Sequence, residues 1–380
     1  MVRTAGKTRR EKLYRYYDYS LLFLILFLVC FGLVMIYSTS SYNAQRLHGD
    51  ATYYLSRQAL LGGAGILIML FVSKIDYRAY IRKLPIIKIK PVTVLYFLCV
   101  ILQIYVILFG EEIKGAKRWI EVGSLGSFQP SELSKIAVIL FTAYIVNLAP
   151  RRLDKIWGFL RVAVFIAPLL GLVIAENFST GLIIGLIFVA ICFVASKKKA
   201  YFIISGIVMG ALASLMIFFV DFRSERFDAW LNVETHEKGY QILQGLYAIA
   251  SGGIFGKGLG ESMQKLGFIP ESHNDMIFSV ICEELGLFGA VALILLFILL
   301  IWRIFVIAIN APDLFGGLIA TGVLIHIASQ VLINIAVVTS TIPSTGIPLP
   351  FISYGGSSLM VILFEMGIVL SISNQIKAQR

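Results

Sequence analysis

Ten apolar runs recur along this chain, at about 18–39, 57–75, 92–110, 131–149, 157–175, 180–196, 200–220, 276–300, 315–338 and 356–374. Each is close to the roughly 17–25 residues that a helix needs to cross the hydrocarbon of a bilayer. In lipid every backbone polar group must find a partner within the protein, which leaves only helices and closed barrels. The runs are continuous rather than alternating, so they read as helices. Composition agrees: 14% of residues are charged and 58% hydrophobic, with a mean hydropathy of +0.85, whereas an average soluble domain is roughly 25% charged. The expected fold is an all-α integral membrane protein of about ten helices, one polytopic domain over residues 1–380. The sixth run is near the lower length limit, and the eighth has the composition to continue to about Asn310.

Lys and Arg in the short loops set the orientation. The N-terminal arm, residues 1–17, carries Arg3, Lys7, Arg9, Arg10, Lys12 and Arg15. With that arm inside, Arg78, Arg82, Lys83, Lys88, Lys90, Arg151, Arg152, Lys155 and Lys197 to Lys199 also fall inside, as do Lys377 and Arg380. Both termini are therefore expected in the cytoplasm. The net charge of +11 is then a topogenic signal scattered over many loops, not a nucleic-acid patch. The first run is too long for the core of a signal peptide and lacks a small-residue cleavage site, so it reads as the first span. All four cysteines lie within apolar spans, and no CxxC or HExxH spacing suggests a transition-metal site.

Two loops on the outer side stand out. One covers about Glu111 to Pro130; the other, residues 221–275 between helices seven and eight, is by far the longest connection. Connections of that length are usually functional or disordered, and this one is too rich in aromatic residues and glycine to look disordered. Its segment GGIFGKGLGES, Gly252 to Ser262, fails as a phosphate loop because Lys257 is followed by Gly258 rather than Ser or Thr. A flexible backbone with one cation remains. It could approach an anion through its amides or serve only as a set of tight turns.

The end of that loop, FIPESHNDMIFSVICEELG, carries Glu271, His273, Asp275, Glu283 and Glu284 straight into an apolar run. Carboxylates there are expensive and are commonly functional. Asp275 falls where loop becomes helix, so an N-terminal cap is one explanation for it. Glu283 and Glu284 lie about 12–14 Å further along at 1.5 Å per residue, and about 80° and 180° around the helix. All three cannot line one groove. Asp275 reads as the chemical group, with Glu283 and Glu284 as its support. A second intrusion is PSELSK, where Pro130 suits a first helical turn and Glu132 and Lys135 share a face. That pair is either a structural ion pair or the lining of a polar cavity. Arg118 adds a cation on the same side, as do Arg223 and Arg226, although loop arginines are usually solvated. His326 and Glu365, alone in their spans, read as helix-to-helix hydrogen bonds.

Four segments carry a resemblance: GAKRWIEVGSLGSFQPSELSK, GYQILQGLYAIASGGIFGKGLGES, FIPESHNDMIFSVICEELGLFG and GIPLPFISYGGSS. In these, in their order and in its ten-span topology, the chain resembles the SEDS family (shape, elongation, division and sporulation; FtsW, RodA and SpoVE) over nearly its whole length. The GxQKL signature and ENFST, Glu176 to Thr180, resemble the division branch more than the elongation branch, with the sporulation paralogue a near alternative. The resemblance implies a bacterial cell-membrane enzyme that polymerises peptidoglycan glycan strands from lipid II, with its active site on the outer face, in cell division or shape maintenance. It implies that Asp275 is catalytic, that Arg118, Glu132 and Lys135 line the substrate cavity, and that SYGGSS, with Ser353 and Ser357, contributes to it. Expected partners are a class B penicillin-binding protein, membrane lipids and other divisome or elongasome proteins.

Inverting transfer from a lipid diphosphate needs one base and a cationic clamp. The leaving group departs without the acid that an inverting hydrolase requires. Asp275 would be the base, with Arg118, Lys135 and Lys257 on the diphosphate. A base role asks for a carboxylate raised above its ordinary value of about 3.9. Alternatively, Asp275 and the diphosphate could hold a Mg2+ or Mn2+ ion. Two further functions fit the composition: a lipid II flippase built around the intramembrane charges, and a scaffold with no catalytic role.

Overall fold

The helix boundaries follow from capping chemistry. Asp18 accepts the Leu21 amide, Asn177 that of Thr180 and Asp313 that of Gly316, while Pro91 and Pro130 occupy first turns. The structure, a computed structural model, describes residues 14–85, 88–113, 116–121, 127–219 and 221–378. Its helices are α1 (Tyr19–His48), α2 (Tyr53–Lys74), α3 (Pro91–Phe109), α4 (Pro130–Leu148), α5 (Ile156–Glu176), α6 (Phe178–Ala195), α7 (Ala200–Phe219), α8 (Asp221–Leu231), α9 (Tyr240–Gly252), α10 (Ile277–Ile309), α11 (Leu314–Val338) and α12 (Gly356–Gln375). Among the described residues, nine are long and apolar enough to cross a membrane. The 20-residue α7 coincides with the seventh apolar run, which completes the expected ten.

Helices α4 and α12 are the most buried of the spans, whereas most of α2 and α3 faces outward. Helix α12 packs on α2, α10 on α11, α9 and α1, and α4 among α3, α6 and α11. The α2–α12 contact needs small residues: a Cβ on Gly367 would lie 2.8 Å from the Met69 carbonyl oxygen.

The chain ends meet. Tyr14 pairs with Ala378 and Arg15 with Lys377, joining strands β1 (Tyr14–Arg15) and β5 (Lys377–Ala378). Nearby, Arg303 grips the buried Asp18 at 2.7 Å. Both termini thus lie on one side of the bundle, as an even number of spans requires. The basic arm up to residue 13, residues 114–115 and 122–126 of the first outer-side loop, Arg380 and the side chain of Arg223 fall outside the described residues.

Three features go beyond the sequence reading. Helix α1 continues to His48, more than two turns past the apolar run, because Ser40, Asn43 and Gln45 suit a helix leaving lipid as well as a loop. Helix α10 does reach Ile309, but it is broken at Gly286 (φ 67°, ψ −167°). The long connection contains two helices, α8 and α9, and the other outer-side loop forms a meander of β2 (Glu111–Ile113), β3 (Ala116–Glu121) and β4 (Ser127–Phe128).

Candidate active site at one end of the bundle

The segment leading to Asp275 is stitched down residue by residue. The Ser272 hydroxyl donates to the Thr39 carbonyl at 3.0 Å. The His273 ring packs on Tyr54, centroids 4.4 Å apart, and its carbonyl accepts the Tyr354 amide at 2.8 Å. Asn274 donates to Glu271 at 2.8 Å, and its carbonyl accepts the Ser353 hydroxyl at 2.7 Å. Asn334 Nδ2, on α11, donates to the Asp275 carbonyl at 2.8 Å and to the Ile347 carbonyl at 2.9 Å. Asp275 is half-buried. The cap position of α10 falls on Met276, with no side-chain cap, so capping does not account for Asp275.

Two guanidinium groups share this end. Arg226, on α8, donates to the Ser344 carbonyl at 3.2 Å. Burial lowers its pKa, and the negative charge of Asp275 pulls it back up. Arg118, on β3, donates through Nε to the Glu176 carbonyl at 2.7 Å. Its pKa is lowered first by burial and then by Arg226, against the pull of Glu176. Arg226 therefore stands in the fields of both Arg118 and Asp275. Arginine does not deprotonate in proteins, so two partly buried cations side by side form a place for a multiply charged anion.

The pair at the start of α4 is present as the sequence suggested. Lys135 Nζ lies 2.9 Å from Glu132, both buried, and Ser358 on α12 donates to Glu132 at 2.7 Å. His326 lies within electrostatic range of Glu132 and bonds Glu365 at 2.7 Å, the helix-to-helix link expected of those two. Ser134 donates to Gln103 at 3.3 Å, and Gln103 bonds Glu176, the residue that also receives Arg118. Helices α3, α4 and α5 are thus coupled to the arginine pair.

The remaining candidates sit elsewhere. Lys257 forms a 2.6 Å ion pair with the fully buried Glu283, two turns along α10 from Asp275. That pairing balances the buried carboxylate, while a third of the lysine side chain remains exposed. Glu283 also receives Ser262 and the Met263 amide. Glu284 receives Ser38 of α1 at 2.7 Å and Lys265 at 2.7 Å. Both glutamates thus bond residues of the loop. Ser353 accepts the Leu349 amide at 2.8 Å while donating to the Asn274 carbonyl, so it holds the Asp275 segment in place. Ser357 is half-buried in the first turn of α12, and the neighbouring Ser358 makes the contact to Glu132.

A hard divalent cation wants several oxygen ligands. Among the described residues no group of three His, Cys, Asp or Glu side chains comes together, and the field around Asp275 is cationic. Among the described residues the protein's own side chains therefore make no complete cage, and a cation here would need Asp275 together with the substrate diphosphate.

The comparisons agree with this architecture. A family model described as a cell cycle protein, FtsW/RodA/SpoVE, matches residues 19–378. The chain is 37% identical over 368 residues to the probable peptidoglycan glycosyltransferase FtsW of Trichlorobacter lovleyi, covering 95% of this chain and 94% of that one. It is 37% identical over 375 residues to the stage V sporulation protein E of Bacillus subtilis, covering 94% and 96%. Among solved structures it superposes on a chain from a peptidoglycan synthase complex that coordinates polymerization and crosslinking, with TM-score 0.77, 27% identity and coverage of 94% and 97%. The rod shape determining protein RodA of Thermus thermophilus follows at TM-score 0.67, 26% identity and coverage of 94% and 96%. With its helix order, its paired termini and nearly its full length accounted for, the chain belongs to the FtsW/RodA/SpoVE family of cell cycle proteins.

Proposed function

We infer that the protein is a peptidoglycan glycosyltransferase of the cell membrane that extends glycan strands from a lipid diphosphate-linked sugar, lipid II. The name of its FtsW relative supports the activity. The observation that carries the residue assignment is the placing of one backbone-clamped carboxylate, Asp275, in the field of Arg226, with Arg118 beside it.

In this reading a sugar 4-hydroxyl attacks the anomeric carbon of the donor. The new bond forms between O4 and C1, the C1–phosphate oxygen bond breaks, and the hydroxyl proton passes to Asp275. The electron pair of the broken bond leaves on the diphosphate, which Arg118 and Arg226 receive. General base catalysis supplies about 10²–10⁴-fold, and fixed cations aimed at the developing charge supply as much or more. Glu132 and Lys135, charge-balanced and tied to Ser358, shape the floor of the cavity and keep α4 against α12. No step is routed through a metal. Basic loops on the side of the paired termini favour that side as cytoplasmic, which turns the Asp275 end outward. The synthase complex among the structural neighbours supports a crosslinking partner, a class B penicillin-binding protein.

The test is polymerisation of labelled lipid II by the purified protein with its transpeptidase, wild type beside Asp275→Asn, resolved by gel, with and without chelator. Long products from the wild type and none from the folded variant are expected. Equal product from both would remove Asp275 from the chemistry. No product from either, together with lipid II movement in liposomes, would favour a flippase. Loss of product on chelation would restore a metal to the mechanism.

A further inference from the structure

Two charged knots tie the ends of α1 to α10. At one end Asp18 holds Arg303; at the other Ser38 and Lys265 hold Glu284. Along α1, Asp18 and Ser38 are twenty residues apart, and along α10, Glu284 and Arg303 are nineteen apart. At 1.5 Å per residue both helices give about 28–30 Å. That is about the thickness of a bilayer's hydrocarbon core, which puts the knots where its two rims would lie. Leu287 and Phe288, the first strongly exposed residues of α10 (60% and 73%), begin about 5 Å inside the rim at Glu284.

The turn after α9 is fastened at that same depth. The break at Gly286 leaves two carbonyls and two amides of α10 without helical partners, and the turn supplies all four. The Lys257 and Gly258 amides donate to the Glu283 and Glu284 carbonyls at 2.9 and 3.0 Å, and the Leu287 and Phe288 amides donate to the Gly253 and Ile254 carbonyls at 2.9 and 3.1 Å. Such exchange is what irregular backbone needs where water is absent. Gly256 permits the approach: its φ is +79°, and a Cβ there would meet the Glu284 carbonyl oxygen at 2.2 Å. Beside the lipid-facing Leu287 and Phe288, the turn presents Ile254 and Phe255, 64% and 84% exposed, followed by Leu259 and Met263. An apolar surface of that kind facing water would be unusual.

We propose that residues 253–263 form a re-entrant hook whose Ile254, Phe255, Leu259 and Met263 side chains sit in the hydrocarbon of the leaflet next to the Asp275 end. The occupant of this face is lipid acyl chain, because the face continues the lipid-exposed surface of α10 at the depth the two knots define. Lys257 lies on Glu283 with a third of its side chain exposed, as a cation at a lipid boundary does.

The test uses the full-length chain in nanodiscs, with Cys30→Ser to remove the exposed native thiol and a bimane label at Phe255→Cys. Labels at Phe288→Cys and Glu234→Cys calibrate the lipid-facing and aqueous limits. Phosphatidylcholine brominated near the top of its acyl chains should quench the labels at 255 and 288 alike, and aqueous iodide should quench only that at 234. Quenching of the 255 label by iodide, without loss in brominated lipid, would overturn the proposal. Shielding from both quenchers would also overturn it, and would assign the face to a protein neighbour.

Discussion

Asn334 is the sharpest test of how the site is held. Its side chain is fully buried on α11, and its amide nitrogen donates to two carbonyls on different loops, those of Asp275 and Ile347. Asn334→Ala removes both bonds at once. A buried acceptor left without a donor costs about 1–3 kcal/mol. Ile347 is buried and has no ready replacement, while the half-buried Asp275 can recover a water, so the expected loss is about 2–4 kcal/mol in total. The catalytic consequence is larger than the stability change suggests. Released from α11, the Asp275 segment has room to shift by about 1 Å, and a displacement of that size costs on the order of 10²-fold in turnover. KM should change little, because Arg118 and Arg226 stand on β3 and α8 and are not attached to Asn334. Asn334→Asp should be worse than Asn334→Ala, since it sets carboxylate oxygens against two carbonyls. The assay is the initial rate of lipid II polymerisation beside a thermal melt in detergent. A melted-out midpoint with a preserved rate per folded molecule, or full stability with full rate, would refute the clamp.

Other expectations follow from the same contacts. Arg118→Ala and Arg226→Ala should each lower kcat/KM by about 10²–10³-fold, and Arg118→Lys should recover only part because it keeps the charge but loses the fork; wild-type rates in either alanine variant would remove it from the clamp. Lys257→Met leaves Glu283 buried and unpaired. Breaking a buried pair costs about 3–5 kcal/mol, less here because Lys257 is a third exposed, and Glu283→Gln in the same chain should restore most of the midpoint. Asp313 caps α11; burial acts to raise its carboxyl, but the Gly316 amide, Arg78 and Tyr77 outweigh that and hold it below 3.8. A depressed carboxyl contributes stability that is present above pH 3.8 and lost as pH falls through its folded value. Asp313→Asn should therefore lower the melting midpoint at neutral pH and flatten its dependence on acid below about pH 4.

The spans were legible because hydrocarbon imposes a single length and composition. Pro91, Pro130 and Asp313 mark starts that the structure reproduces within a residue or two. The end of α1 was not legible, since Ser40 to Gln45 suit a helix in water as well as a loop. Helix α9 was hidden for a different reason. Its glycines, Gly245 and Gly252, count against a helix on propensity alone, yet they are small so that the helix can lie against Met276 and against Cys282 of α10. At the site, Glu132 and Lys135 were visible as charges where charge is costly. Arg226 was visible as a further cation on that side, set against the usual solvation of loop arginines; its position depends on α8 folding back over the Asp275 end. Lys257 was assigned to the anion because the sequence does not show that Glu283 is buried beside it. Asn334 carried no signal: a lone amide in an apolar helix has many uses, and its partner is set by tertiary packing. Ser358 lay inside the SYGGSS segment, but which of its serines reaches Glu132 is likewise set by packing.

The two rims also explain why a site in water needs glutamates inside the bilayer. Helix α10 begins at Ile277, seven residues before Glu284, which places its first turn about 10 Å outside the hydrocarbon. The polar region of a bilayer leaflet is only about 5–8 Å deep, so Asp275 stands at or just beyond its outer edge. A lipid diphosphate lies within that region and holds its sugar outward, with the anomeric carbon one bond from phosphate. For the proposed reaction Asp275 would therefore have to be fixed in height relative to lipid as well as in position relative to the arginines. Glu284 supplies the first constraint, because it ties Lys265, on the strand of chain leading to Asp275, to Ser38 at the rim. Glu283 supplies the second by holding Lys257, Ser262 and the Met263 amide, which close the turn below. Exchanging either carboxylate for an apolar residue would leave its lysine without its ionic partner, in the case of Lys265 a buried lysine, and would release the segment that relates the depth of the membrane to the height of Asp275.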